Sequence, residues 1–115
     1  SPDLASTLRR FELKLLQELG YAIPLLMDEN DGLVLEAQHY RYEAEHGAAR
    51  LNAGANHKKN GVQLVGKTLI DMANGDYSNL QTQQQSKQLM RYLLTHYLGD
   101  KPLHTRQLLI DLQGL

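Results

Sequence analysis

Residues 1–20, with the sequence SPDLASTLRRFELKLLQELG, decide the start of the fold because they have the marks of an amphipathic helix. Ser1 is suited to cap the helix, Pro2 suits its first turn, and Gly20 follows its end. Apolar side chains recur every three or four positions, at Leu4, Leu8, Phe11, Leu15 and Leu19. We therefore predict that this stripe faces the core. Leu13 lies half a turn away, which indicates a second face that either is covered or has lost its cover in a fragment.

The helical period disappears after this segment. Between residues 21 and 60, Pro24, the turn-forming residues 28–32 and Gly47 interrupt any helix, and residues 38–43 alternate in the manner of a strand. We predict a small hairpin that turns near His46 and Gly47. Residues 52–60 (NAGANHKKN) are polar and rich in Gly and Asn, which is typical of a mobile loop.

Helical signals return in residues 67–73, stop at residues 74–75, and resume in the longest helix, residues 80–98. Leu89, Leu93 and Tyr97 recur every four residues in that helix, and Gly99 follows its end. A last short helix is predicted to start near Thr105. The sequence thus predicts a mainly α fold, a small helical bundle with an irregular or short β-hairpin insertion around residues 22–60.

Composition narrows the function classes. The chain has 115 residues, 12 Lys and Arg against 13 Asp and Glu, and no Cys, which suits a single domain and excludes thiol chemistry and Cys-based zinc sites. No apolar run approaches the roughly 18 residues of a membrane span. A start at Ser rather than Met suggests a processed chain or part of a longer one. The net charge of −1 argues against strong general affinity for nucleic acid.

A phosphate-loop pattern occurs in residues 61–68 (GVQLVGKT), which match G-x-x-x-x-G-K-[ST] letter for letter. Such a loop follows a buried strand in a parallel sheet, so that backbone N–H groups face the phosphates. The polar residues 52–60 that precede the match do not form such a strand, and Val62, Leu64 and Val65 are too bulky for a loop that wraps a phosphate. We interpret the match as a helix that starts at Gly66 or nearby.

Catalytic and metal-binding patterns are weak. The five histidines (His39, His46, His57, His96 and His104) show no metal-ligand spacing, and the acidic residues 28–32 lack the terminal Glu of a calcium loop. No nucleophile stands beside a candidate base. We expect no catalytic residue, no metal and no cofactor, so the chain is predicted not to be an enzyme. Four tyrosines could stack on unpaired bases, although core or boundary positions are favoured for those in the long helix: Tyr40, Tyr42, Tyr92 and Tyr97.

Charge is divided along the chain. Residues 28–46 contain six carboxylates against Arg41 alone, whereas from Leu80 onward four cations oppose two carboxylates. Cations beside apolar side chains would suit an acidic peptide that ends in an apolar residue. The simpler interpretation is an ordinary charged helix surface. The cations concerned are Lys87, Arg91, Lys101 and Arg106, with Arg9 and Arg10 as possible neighbours.

Three segments resemble, in order and spacing, the C-terminal region of the bacterial recombination mediator RecO. They are residues 8–21 (LRRFELKLLQELGY), 39–42 (HYRY) and 97–108 (YLGDKPLHTRQL). The resemblance covers nearly the whole chain and is poorest in residues 22–60. Many members of the family have a four-Cys zinc module after the first helix, and this chain has none, as in the zinc-free branch. The resemblance therefore implies no metal.

The resemblance implies that residues 1–115 form the C-terminal helical domain of a RecO-like protein whose N-terminal OB-fold is absent from this chain. It also implies a non-enzymatic, cytoplasmic and nucleoid-associated role in DNA repair and recombination after DNA damage. The partners it implies are RecR, single-stranded DNA and the single-strand DNA-binding protein SSB. It implies that the DNA is bound mainly through the missing OB-fold. It further implies that the domain receives the acidic, Phe-ended tail of SSB, and that SSB is displaced so that RecA is loaded. No membrane partner is implied.

Basic residues and an apolar hole would suit that tail, since cations meet its carboxylates and the hole takes its terminal ring. We expect the tail between the long helix and the short last helix. The alternative is a helical adaptor or structural domain unrelated to DNA, and a nucleotide-using enzyme is a distant third. The expected docking residues are Arg9, Arg10, Arg91, Lys101, Arg106, Leu94, Leu98 and Leu103.

Overall fold

The computed structural model describes residues 3–52 and 60–99 as a mixed α/β domain. Three helices and three strands follow one another along the chain as α1 (Asp3–Glu18), β1 (His39–Glu43), β2 (Gly47–Arg50), β3 (Val62–Val65), α2 (Gly66–Asn74) and α3 (Leu80–Leu98). The prediction of a mainly α fold is therefore right only in part. The predicted last helix from Thr105 lies outside the described residues. So does nearly all of the predicted mobile loop in residues 52–60.

The strands form one antiparallel sheet in the order β2-β1-β3. Tyr40 pairs with Arg50 of β2 on one side and with Leu64 of β3 on the other. The predicted hairpin is confirmed, because His46 donates its N–H to the carbonyl of Glu43 (3.1 Å) in the turn before β2. Sequence patterning missed β3, since four residues are too few to show a period and their pairing partner lies about twenty positions away.

Buried polar contacts fasten α3 to α2 and β3. The carboxylate of Asp71 accepts a hydrogen bond from the Thr82 hydroxyl (2.7 Å), with both side chains buried. Gln85 accepts hydrogen bonds at Oε1 from the Thr68 hydroxyl (2.6 Å) and the Val65 N–H (3.1 Å). These contacts satisfy polar groups inside the domain and set the position of the first half of α3.

The ends of α3 follow the predicted signals. Asn79 caps its start by accepting the Thr82 N–H at Oδ1 (3.1 Å), and Gly99 follows its end at φ 60°. Leu89 and Leu93 are fully buried, and Tyr97 is partly buried against the core. The prediction of the long helix is confirmed.

The prediction that the stripe of α1 faces the core is wrong. Leu4, Phe11 and Leu19 are 59%, 42% and 54% exposed, respectively. The side of α1 that packs onto the rest of the domain instead contains Arg9, Glu12, Leu13 and Leu16. Both sides are apolar enough to be buried, and the described α2, α3 and residues 23–27 cover only the one centred on Leu13 and Leu16.

Candidate peptide-docking cleft

A cleft lies between the N-terminal halves of α1 and α3. Its volume is about 250 Å³ and its walls are mostly apolar atoms. Seven residues line it, three from α1, one from the turn before α3 and three from α3. These residues are Ala5, Ser6, Arg9, Tyr77, Gln83, Gln84 and Lys87.

Tyr77 contributes an unusual polar group to this cleft. Its side chain is only 4% exposed, and its hydroxyl has no hydrogen-bond partner among the described residues. Burial raises the pKa of Tyr77, the nearby Arg10 and Arg9 act in the opposite direction, and the carboxylate of Glu12 adds a smaller upward shift. The hydroxyl therefore stays protonated at neutral pH and is able to donate a hydrogen bond to a ligand.

Arg10 contacts both Tyr77 and the turn before it. Its guanidinium lies 5.6 Å from the centroid of the Tyr77 ring, and its Nε and Nη2 donate to the carbonyl of Gly75 (3.2 and 3.0 Å). Gly75 ends α2 in the left-handed conformation that glycine tolerates best (φ 69°). Arg10 is thus a positioning residue that joins α1 to the turn between α2 and α3.

Arg9 is the buried cation of the cleft. Its side chain is 6% exposed and lies 3.3 Å from the fully buried carboxylate of Glu12, one turn along α1. The opposite charge on Glu12 compensates the cost of burying the guanidinium. Lys87 also lines the cleft and is exposed, so it contributes an unburied positive charge.

The expected docking residues do not form one cluster among those that the structure describes. Arg9 lines the cleft and Arg10 supports Tyr77, whereas Arg91 lies beside a shallower depression along α3 with Tyr92 and His96. Leu94 is fully buried in the core, and Leu98 packs partly against it. Lys101, Leu103 and Arg106 lie outside the described residues. Tyr77 went unrecognised because only the tertiary structure brings it beside Arg9.

The phosphate-loop match has a structural explanation. Val62–Val65 is strand β3 of an antiparallel sheet, and α2 begins directly at Gly66, which confirms the interpretation as a helix start. The first amides of α2 are occupied, because Gly66 donates to the carbonyl of Gln38 (2.8 Å) and Lys67 to that of Glu36 (3.0 Å). A phosphate would find these donors already used.

The tyrosines serve mainly as structural residues. Tyr40 and Tyr42 are buried in the core, which contradicts the idea that they stack on bases. The hydroxyls of Tyr92 and Tyr97 accept the N–H groups of Ala44 and Glu45 (2.9 Å each), so they dock the β1–β2 turn onto α3. Tyr92 and Tyr97 therefore occupy the boundary positions that the helical pattern favours for them.

Among residues 3–52 and 60–99, no group of three or more His, Asp or Glu side chains is arranged to hold a metal ion. No helix within these ranges is long and apolar enough to cross a membrane.

The fold defines a small mixed α/β domain with an open cleft between two of its helices. The family model described as "Recombination protein O C terminal" matches residues 1–107. The chain belongs to the RecO family of DNA repair and recombination proteins.

Relatives named "DNA repair protein RecO" support this assignment. The protein of Nitrosospira multiformis is 50% identical over 114 residues, which cover 98% of this chain and 46% of that protein. The protein of Aromatoleum aromaticum is 49% identical with the same coverage, and that of Azoarcus sp. is 45% identical over 94% of this chain and 45% of its own length. The chain spans about half the length of the curated relatives it matches.

Proposed function

We propose that this chain is a non-enzymatic interaction domain of a recombinational DNA repair mediator, which docks the acidic, Phe-ended tail of SSB in the cleft between α1 and α3. In the whole protein this docking would help displace SSB and load RecA together with RecR. Single-stranded DNA would bind mainly to the part that this chain lacks. The setting is the cytoplasm, at the nucleoid. Because the chain belongs to a DNA repair family, the alternative of an adaptor or structural domain unrelated to DNA has no support.

One observation carries the proposal. The Tyr77 side chain lines the cleft beside Arg9, and its buried hydroxyl has no hydrogen-bond partner in the described part of the chain. A buried polar group without a partner is costly and rare in folded proteins, so its presence in a cleft indicates a ligand that supplies an acceptor. A peptide carboxylate is such an acceptor.

The charges and walls of the cleft favour the same ligand. The exposed Lys87 and the buried Arg9, whose charge Glu12 compensates, are its two cations, and no Asp or Glu belongs to its lining. Its mostly apolar walls suit an aromatic ring, and long-range attraction to Lys87 suits the acidic residues that precede it. Arg91 follows Lys87 by one helical turn on α3, so it extends the positive charge along the path of the peptide.

The test is a calorimetric titration of this chain with an acidic peptide ending in Phe, and with the same peptide lacking Phe. Removing the ring should cost about 2 kcal/mol or more, as loss of a buried anchor does. Lys87→Glu should lower affinity by placing like charges together, whereas Lys14→Glu, an equal charge change at an exposed position outside the cleft, should not.

The same titration compares the two possible positions of the tail. If Arg91→Glu and Arg106→Glu weaken binding while Lys87→Glu does not, the tail lies toward the end of α3 instead. If all three variants keep the wild-type affinity and circular dichroism shows intact folds, docking of the tail on this domain is refuted.

A further inference from the structure

The first helix has a stripe of apolar side chains outside its packed side. At about 100° per residue, spacings of three and four positions place the whole set within about 80° of the helix circumference, so it forms one surface about 22 Å long. We name this surface the α1 stripe. Its exposed members are Leu4, Phe11 and Leu19, and its half-buried members are Leu8 and Leu15.

The chain leaves α3 beside one end of the α1 stripe, because α1 and α3 run parallel. The first halves of the two helices meet at the cleft, which Ala5 and Gln83 both line. At the other ends of the helices, Tyr21 follows α1 and stacks on Tyr97 of α3, with ring centroids 4.2 Å apart. Gly99 follows α3 directly, so it lies at the same end of the domain as the last turn of α1.

Residues 100–115 have the pattern and the length to cover the α1 stripe. The sequence predicts a helix from Thr105, and residues 105–115 would be about 16 Å long as a helix. Residues 100–104 reach up to about 17 Å, which exceeds the roughly 8–10 Å between the axes of packed helices. The chain is therefore able to reverse direction after α3 and follow α1. The apolar residues at helical spacing are Leu108, Leu109, Leu112 and Leu115.

One pair of opposite charges agrees with an antiparallel course. If Thr105 lies beside Gly20, just past the end of α1, Asp111 is level with Lys14. Lys14 is exposed and borders the α1 stripe, and Asp111 borders the apolar side of the predicted helix. A segment of the same chain is also favoured over a separate partner, because it is present at a high effective concentration.

We propose that residues 105–115 pack as a helix antiparallel to α1 and cover the α1 stripe. Asp111 then pairs with Lys14. Arg106 lies beside the end of α1, about 15 Å along the helix from Arg9, and therefore outside the cleft. The inference does not depend on what the cleft binds. The apolar contacts join Leu109, Leu112 and Leu115 to Leu15, Phe11 and Leu8.

Paramagnetic broadening in NMR spectra tests this arrangement on the whole chain. The sequence has no Cys, so Gln113→Cys provides one site for a nitroxide label. Amide signals of residues 8–15 should be broadened most, because position 113 is level with the middle of α1. A mixture of nitroxide-labelled chain with separate ¹⁵N-labelled wild type should show no such broadening. Broadening in the mixture would assign the stripe to a second copy, and no broadening of α1 in either sample would leave the stripe uncovered; both results overturn the inference.

Urea unfolding of matched variants gives a second test. Phe11→Ser and Leu112→Ser should each lower the unfolding midpoint by about 1 M, and the double variant should lose less than the sum because the two side chains share one contact. Leu80→Ser is the control, because Leu80 is 66% exposed at the start of α3, and it should leave the midpoint unchanged. Equal midpoints for Phe11→Ser and Leu80→Ser would overturn the inference.

Discussion

Nη1 of Arg9 lies 3.3 Å from Oε1 of Glu12, and both side chains are almost fully removed from water although α1 has an exposed face nearby. Breaking such a pair by removing one partner is strongly destabilising, whereas replacing both with apolar residues is often neutral. The pair therefore matters more for fixing the position of the Arg9 guanidinium than for net stability.

Glu12→Gln should lower the free energy of unfolding by about 3 kcal/mol, because the buried guanidinium loses its carboxylate. The double variant Arg9→Met with Glu12→Leu should recover most of that loss. Urea unfolding followed by circular dichroism measures both. A single variant within about 0.5 kcal/mol of the wild type would show that the pair is not a buried constraint.

Tyr77→Phe should separate binding from folding. The hydroxyl has no hydrogen-bond partner among the described residues, so its removal should leave the unfolding free energy unchanged or slightly higher. Affinity for the acidic peptide should fall about tenfold, the value of a hydrogen bond to a charged group. Calorimetry and thermal melts on the same samples measure the two effects, and equal peptide affinity would exclude the hydroxyl from the site.

Gly66→Ala should destabilise the domain strongly, whereas Lys67→Ala at the next position should have little effect on stability. A Cβ on Gly66 would lie 1.8 Å from the carbonyl oxygen of Leu35, so Gly66→Ala must displace backbone and should cost several kcal/mol, on the order of 3. Lys67→Ala removes only a part-exposed pair with Asp71 and should cost less than about 1 kcal/mol. Magnesium-dependent ATP binding that Lys67→Ala abolishes would contradict our interpretation of residues 61–68.

This chain alone should bind single-stranded DNA weakly. Its net charge is −1, so few phosphates are neutralised and little counterion is released on binding. Fluorescence anisotropy at physiological salt should give a dissociation constant weaker than about 10 μM, within the range of non-specific binding. Micromolar or tighter binding would require a DNA surface that the net charge does not suggest.

Asp76 should make a pH-dependent contribution to stability. The Ser78 hydroxyl and N–H donate to its Oδ1 (2.7 and 3.0 Å), and these hydrogen bonds lower the pKa of Asp76. A pKa that is lower in the folded state gives stability that is complete above the unfolded pKa and is lost as pH falls through the folded one. The difference in Tm between wild type and Asp76→Asn should therefore be complete above about pH 5 and shrink progressively as the pH falls below about 4, the usual range of an unfolded Asp.

Ser78→Ala provides the control for this prediction. It removes the hydroxyl donor while keeping the carboxylate, so the pKa of Asp76 should move back toward its usual value. Carboxyl chemical shifts followed by NMR during a pH titration report that pKa directly. An unchanged titration curve would assign the lowered pKa to another cause.

Local sequence determined the ends of α3, the turn of the β1–β2 hairpin and the start of α2, and motif spacing alone indicated the RecO family. These features depend on residues a few positions apart, such as the Asn79 side chain and the Thr82 N–H that it caps. Helix caps and tight turns are short-range interactions, so composition and spacing suffice to locate them.

Only the tertiary structure decided which face of α1 is buried, that Val62–Val65 is a strand, and that a cleft exists beside Arg9. α1 has apolar side chains on two faces, and the choice between them depends on contacts with distant segments, as when Arg10 reaches the Gly75 carbonyl 65 positions away. Burial is a property of neighbours in space, which periodicity along one helix does not identify. Tyr77 lies in the turn between α2 and α3, where no local pattern marks it, and the same long-range packing places it in the cleft.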